Sequence, residues 1–561
     1  MSELSKKPIS FSTRYFLICQ ATNVMNNGLA VFFVVSLLIP DHVEGTVASH
    51  WTDELELPKK LLEYKIRNDE GLKKKCLEDS ECSITPEMLN NGRCWGFEST
   101  CAANSTYSAE FGLPKCRRNL PNSRAKQTFY DQGDFGYLKE RQLLSDICAS
   151  KEEEKTTLAC SGQLRYCSGR NIFFDFRSFK AKGSARYRND IIHSGEVGGN
   201  CEKSYPTAIL ANLQHKSYLQ SWAFELEHFK SYDDFRVDKQ NCDVIFERPT
   251  VIIKLDAAMN LYHHMCDFVN LHASQFINDT NFDRDIDIVW WDTAESGFVD
   301  TYFGAFWGVF SRRKPIELIS LAGKKVCFKN FVLPLLARQY YGLFYNMPLT
   351  EGCHGSGLMQ AFTEHSLFRL GIKQDGPFVP EKIRITILSR STRYRRILNL
   401  DQLNHEISKL PNVELKIVDY NKDVPFLKQL EQTHNSDIFI GMHGSGLTHM
   451  LFLPNWAAVF EIYNCDDELC YLDLARLRNV KYWTWPKDKI HLVFPESEGI
   501  HPQSGKPHRK FTNYSFDPKL FGKIVKDIID YVKRHPKYVE ELRRKKRDLR
   551  SKQNNDGNPE L

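Results

Sequence analysis

The chain has 561 residues, of which 42% are apolar and 26% charged, with a formal net charge of +5. That balance is ordinary for a globular protein and excludes a global nucleic-acid binder. The length leaves room for roughly three or four domain-sized units.

Residues 1–45 read as a targeting region. Leu29 to Ile39, LAVFFVVSLLI, is an eleven-residue apolar run. It is short of the roughly 20 residues a membrane span needs and suits the h-region of a signal peptide, with a retained signal anchor as the alternative. Val43-Glu44-Gly45 offers a cleavage site, and Met25 is a second candidate start. No firm membrane span is expected.

Residues 46–240 are rich in Cys, Lys and Glu. Sixteen cysteines are present, nine of them between Cys76 and Cys201. Their spacings are irregular and lack the paired rhythm of zinc modules, so they read as disulfides formed in an oxidising compartment. Cys465 and Cys470 are spaced to close a small loop of their own. Sequons at Asn104, Asn278 and Asn513 fit a glycosylated lumenal chain.

A βα rhythm begins near residue 241. DVIFERPTVIIKLD reads as strand, and MNLYHHMCDFVNLHASQFI has apolar residues at helical spacing (Leu261, Met265, Phe268, Val269). DIDIVWWD is the next strand, followed by IELISL and KVCFKNFVLPLL. A second run follows after Pro377 and Pro380. KIRITILSR, VELKIVDY, DIFIGMHG and WAAVFEIY read as strands, separated by helices at NLDQLNHEISKL, DVPFLKQLEQTHNS and LTHMLFLP, with CYLDLARLRN as a further helix. Strands alternating with helices mean a parallel sheet covered on both faces. Two such runs predict two Rossmann-like domains, 241–372 and 373–535, with a cleft between them. Residues 536–561 read as a basic, weakly structured tail. Lys533 to Lys552 carries ten Lys or Arg against three acids, which is ordinarily a solvated face.

Ligands of open parallel sheets sit beyond the carboxyl ends of the strands. The loop Met442-His443-Gly444-Ser445-Gly446 lies there. Glycines admit a ligand close to the backbone, and the following helix start offers free N–H groups, so the loop suits a diphosphate. A tight turn without ligand is the competing reading. A serine nucleophile is not: the hydrolase elbow spaces its glycines two residues from the serine, whereas here they flank Ser445 directly. No ATPase P-loop motif is present. Glu461 ends the next strand and is placed to hold a ribose. Arg390 ends the first strand of the same unit, with Arg395 and Asn399 close behind, and an arginine there can neutralise phosphate. In NLYHHMCDF, His263 and Asp267 are four apart on one helical face, a spacing that suits proton removal from a hydroxyl as well as a plain helix-stabilising pair. No metal-ligand cluster is marked.

These blocks, with DFGYLKER, SGEVGGNC, LQSWAFEL, KLDAAMNLYHHMCDFVNL, ITILSRSTRYRRILN and DIFIGMHGSGLTHMLFLP, resemble the EGF-repeat-directed transferases of glycosyltransferase family 61. The resemblance implies a GT-B fold: an α/β chain with two Rossmann-like domains facing a cleft, preceded by a disulfide-rich N-terminal section. It implies UDP-GlcNAc as donor and Ser/Thr hydroxyls of EGF-like domains as acceptors, Notch-type receptors among them, in the endoplasmic reticulum lumen. It carries donor binding onto Arg390, Arg395, Asn399, His443, Gly444, Ser445 and Gly446, and catalysis onto Asp267 with His263, in an element opened by Asn260. Glu461 remains the ribose candidate from its strand-end position alone. A short activity motif falls on Asp300-Thr301-Tyr302. No cofactor is implied with certainty, although a divalent cation (Mn or Mg) can assist such chemistry. Relatives end in a K/H-D-E-L-type retrieval signal, whereas this chain ends Asn558-Pro559-Glu560-Leu561. The rival functions are a family-61 transferase with another acceptor, and a non-catalytic folding factor that binds EGF repeats.

Overall fold

The computed structural model describes residues 50–90, 95, 97–98, 114–117, 123–180, 188, 190–205, 209, 216–278, 281–291, 302–339, 350–374 and 382–556. The targeting segment, the Asn104 sequon, Asp300, Thr301 and Asn558–Leu561 lie outside them. No described helix is long and apolar enough to cross a membrane.

Two sheets organise the chain. The larger has eleven strands and is built around β1 (Leu144–Ala149), β2 (Thr157–Ser161), β3 (Cys167–Asp175), β4 (Thr250–Ile253), β5 (Asp287–Trp290) and β6 (Lys325–Leu333). Its order runs Ile316–Glu317, β5, β4, β6, β3, β2, β1, Lys203–Ser204. β5, β4 and β6 are parallel neighbours. β6 then pairs antiparallel with β3, from Lys325 opposite Asp175 to Leu333 opposite Cys167. β3, β2 and β1 continue antiparallel. A parallel pair needs a crossover, and helix α1 (Leu261–Ser274) lies between β4 and β5 in the chain. Antiparallel neighbours need no crossover, so β1–β3 extend the sheet without helices of their own. IELISL, expected as a strand, is one only at Ile316–Glu317; Leu318–Leu321 coils into a 3-10 turn.

The second sheet has five parallel strands: β7 (Ile383–Leu388), β8 (Val413–Val418), β9 (Ile438–Gly441), β10 (Ala458–Glu461) and β11 (Lys481–Thr484), ordered β8-β7-β9-β10-β11. β11 was not read from the sequence, because KYWT is short and only half-buried. The central strands bury both faces, as parallel strands do. Ile383, Ile385, Ile387, Ile438, Ile440, Ala458 and Phe460 point to one core. Leu388, Phe439 and Val459 point to the other, which also holds Met265 and Phe268 of α1. α2 (Gly357–Arg369), α4 (Phe426–His434) and α5 (Cys470–Arg478) pack on that second side, and α3 (Leu400–Ser408) and α6 (Pro518–Arg534) on the first. α6 starts from the Asp517 cap with Pro518 in its first turn, and buries Phe521, Ile524, Val525, Ile528, Ile529 and Val532 as one stripe.

Two expectations need correction. The weakly structured tail is helix α7 (Pro536–Asp556). Proline fits its first turn, Tyr538 is buried against Trp456, and Arg544 pairs with Glu541 and Asp548 along one face. Cys465 and Cys470 form no disulfide. Both are free, as is Cys266. Cys465 is fixed in a left-handed turn at φ 52°, while Cys470 opens α5 and is hydrogen-bonded to the Tyr262 side chain. The described disulfides are Cys76–Cys82, Cys116–Cys353, Cys148–Cys201, Cys160–Cys167 and Cys242–Cys327. Cys116–Cys353 ties a segment before β1 to the turn that leads into α2.

Candidate active site

Three strand ends converge. β4 leads to Asp256 and on to the first turn of α1; β7 leads to Arg390, two residues past its end; β9 leads into the His443–Gly446 loop. Asn260 caps α1, its Oδ1 accepting from Tyr262 N at 3.1 Å. The α1 start meets the α5 start through rings. Tyr262 lies 5.7 Å from the His263 ring and 5.8 Å from Tyr471, and Tyr471 lies 5.1 Å from His443. Two tyrosines therefore bridge the histidine of one sheet to the histidine of the other.

On the α1 side the expected His263–Asp267 pair is replaced by a different one. His263 Nδ1 donates to Asp256 Oδ2 at 2.8 Å. Asp256 Oδ2 also accepts from Arg338 Nε at 3.0 Å, and Arg338 Nη2 forms an ion pair with Oδ1 at 2.7 Å. Against the raising effect of burial, the hydrogen bonds from His263 and Arg338 hold the Asp256 carboxyl below its usual range. Asp267 is only 1% exposed. Both its oxygens accept from Asp256 N, at 3.0 and 3.1 Å, and His264 Nδ1 lies 3.1 Å away. Burial raises the Asp267 carboxyl to about 6. Asp267 thus fixes the backbone that carries Asp256. The side chain of His263 is 25% exposed and can meet a substrate. Sequence spacing shows which residues share a helix face; it does not show that a carboxylate from the preceding strand reaches the histidine first.

On the second sheet, Gly444 sits at φ 156°, and a Cβ there would collide with Arg390 Nη1. The glycine is needed for the approach of that guanidinium. Arg395, itself left-handed at φ 62°, donates from Nη1 to His443 O at 3.0 Å. The Nε atoms of both arginines are buried without a hydrogen-bond partner. Burial, then the neighbouring Arg395, lowers Arg390 to about 10, so it stays charged at neutral pH. Two cations with unspent donors beside a glycine turn are chemically suited to hold an anion. Ser445 and Gly446 are half-buried at the start of the 3-10 helix Ser445–Phe452, where a regular α-helix was expected. Neither nearby histidine serves Ser445: His443 Nδ1 pairs with Glu461, and His449 with Gly446 O and Gln429.

Two donor-side candidates are placed differently from expectation. Glu461 is fully buried between His443 Nδ1 at 2.8 Å and the Tyr482 hydroxyl at 2.5 Å, so it orients His443 and does not reach a ribose. Asn399 spends its amide on Phe516, donating to O at 2.8 Å and accepting from N at 3.1 Å. It anchors the loop that carries Arg395. Tyr302 is exposed, its ring 6.2 Å from Phe303, which lies 6.1 Å from His264. Among the described residues no group of three or more His, Cys, Asp or Glu is arranged to hold a metal. Asn278 is exposed. The Asn513 sequon is corrected: this side chain is 4% exposed, donates to Glu496 at 2.7 Å and accepts from Arg396 N, so it is closed to a glycan.

The family model for glycosyltransferase 61 matches residues 208–460, which include strands of both sheets. The EGF domain-specific O-linked N-acetylglucosamine transferase of Xenopus laevis is 44% identical over 504 residues, 88% of this chain and 93% of its own. The protein of that name from Mus musculus is 43% identical over 86% of this chain and 91% of its own. The Drosophila melanogaster one is 42% identical over 81% and 87%. The chain belongs to glycosyltransferase family 61. It is a glycosyltransferase, and Arg390, Arg395, the His443–Gly446 loop and His263 lie within the matched residues. The signal for the missed residues was weak. Asp256 is a strand-end carboxylate like many others, Arg338 lies far along the chain, and Tyr262 and Tyr471 read as helix core.

Proposed function

We propose that this family-61 enzyme is an inverting transferase that moves GlcNAc from UDP-GlcNAc to Ser or Thr hydroxyls of EGF-like domains in the endoplasmic reticulum lumen. The acceptor class follows the relatives' names. The observation that carries the chemistry is the pair of half-spent arginines at Gly444, linked through Tyr471 and Tyr262 to a carboxylate-held histidine. A GT-B arrangement, with 241–372 on the acceptor side and 373–535 on the donor side of a cleft, accommodates both. The described disulfides fit an oxidising compartment.

The Asp256 carboxylate keeps the proton on His263 Nδ1 and leaves Nε2 as the base. The acceptor oxygen attacks C1 of the sugar as its proton passes to Nε2. The C1–O bond to UDP breaks on the opposite face, which turns an α-linked donor into a β-linked product. Arg390, Arg395 and the amides after His443 take up the charge that develops on the diphosphate. His263 is the catalytic base; Asp256 and Asp267 are positioning residues, a reassignment of the Asp267 role. Notch-type receptors are the acceptors in view.

Transfer from labelled UDP-GlcNAc to a folded EGF repeat tests this, with wild type compared with His263→Ala, with and without EDTA, and with a glycan acceptor in parallel. Loss of on the order of 10²- to 10⁴-fold in His263→Ala is expected for a general base, with activity kept in EDTA. Glycan transfer without EGF transfer would assign a different acceptor. No transfer to either would leave a binding protein.

A further inference from the structure

A cavity of about 900 Å³ lies away from the candidate active site. It sits where the antiparallel strands β1–β3 outrun the helix layer, between the sheet face and the carboxyl end of α1. Gln275, at its wall, is twelve residues beyond His263, about 18 Å along a helical rise. The volume is at the upper end of the roughly 300–1,000 Å³ usual for small-molecule sites.

The wall has a specific character. Gln275 is only 8% exposed and its Oε1 is buried without a partner. Asn281 and Asn330 supply two more carboxamides, and Asp146 and Asp283 supply carboxylates. Arg170 Nη2 donates to Glu152 O at 3.1 Å, while its Nε is buried without a partner. Leaving a buried amide oxygen unpaired is costly, and a ligand hydroxyl would recover that cost. The two carboxylates are matched by Lys65 and Arg170 in the same wall, so the cavity has no net formal charge to attract an anion. A peptide strand is disfavoured because the cavity opens on a sheet face, whose backbone groups already pair within the ladder. A lipid would leave the amides unpaired.

We infer that this cavity is a second, non-catalytic saccharide-binding site that takes a neutral sugar of two or so residues through Gln275, Asn281, Asn330 and the flanking carboxylates. Such a sugar has two possible sources. One is a glycan in solution or on a partner. The other is a glycan on Asn278, which lines the same cavity and is exposed.

The test is titration of the full chain, saturated with UDP to block the donor cradle, with N,N′-diacetylchitobiose, mannobiose and lactose in turn. One-to-one binding of at least one of them is expected, weakened ten-fold or more by Gln275→Leu, with the transfer rate within two-fold of wild type. Asn330→Ala serves the same purpose should Gln275→Leu fail to fold. Binding gained only in Asn278→Gln supports the site and names the chain's own glycan as occupant. Binding of none of the three by either wild type or Asn278→Gln overturns the inference. So does binding that both wall variants leave unchanged, or inorganic phosphate binding in place of the sugars. Because the readout is binding with the donor site blocked, its failure is separate from failure of the transferase reading.

Discussion

The Arg390 guanidinium should cost the fold stability and supply the reaction with charge. Burial takes its pKa from 12.5 to about 10, so the charged form is disfavoured in the folded state at every pH below that value. At 1.36 kcal/mol per unit the penalty is about 3 kcal/mol. Arg390→Met keeps an aliphatic stem and removes the charge. Its melting temperature in the absence of nucleotide is expected to rise by a few degrees, less whatever the lost packing costs. Turnover on a folded EGF repeat is expected to fall by about 10²- to 10³-fold, the ordinary loss when one electrostatic donor to a developing charge is removed. UDP reverses the order: it stabilises wild type by RT ln(1 + [L]/Kd), while the variant gains little. Thermal shift with and without UDP, together with initial rates, measures all three quantities. A variant that melts below wild type without UDP and keeps the full UDP shift would refute the argument that Arg390 is a strained cation waiting for diphosphate.

Other outcomes follow from the same contacts. Asp256→Asn should lower kcat by 10-fold or more, since it unsettles the His263 tautomer; an unchanged kcat would take His263 out of the base role. Asp267 is raised from 3.8 to about 6, chiefly by burial, so the folded state favours its neutral form. Stability from this group is therefore present below about pH 4 and lost as pH climbs to about 6, by about 3 kcal/mol. The melting temperature of Asp267→Asn relative to wild type should rise across that window, and a constant difference would contradict the assignment. Expressed through the secretory pathway, Asn278→Gln should lose a glycan on gel mobility and Asn513→Gln should not, because Asn513 is closed by Glu496 and Arg396. Alkylation of the unreduced, denatured chain should label Cys266, Cys465 and Cys470, read by peptide mass; a Cys465–Cys470 disulfide would show the loop to be wrong.

Much of the fold was legible because parallel strands buried on both faces leave continuous apolar runs. IRITIL, DIFIG and AAVFE could scarcely be anything else, and each is a strand of the second sheet. The glycine loop was legible for a steric reason: only glycine lets Arg390 lie against the Gly444 backbone. The basic tail is helical where its charge run predicts little structure, because charge runs say nothing about the buried tyrosine, Tyr538, that docks the helix.

Residue pattern alone showed most strands of the second sheet, the cysteine-rich N-terminal section and the family, and it marked the glycine loop as the phosphate candidate. Local pattern and residue type suffice for those, since each depends on neighbours within a few positions. Which donor each carboxylate meets depends on folding. Glu461 looked free for a ribose and is locked on His443 and Tyr482. Asp267 looked like a base and holds the Asp256 amide, while Asp256, with Arg338 from 82 residues away, takes His263. A carboxylate's role is set by which donor reaches it first and how much water remains. Both are fixed by packing between segments far apart in the chain.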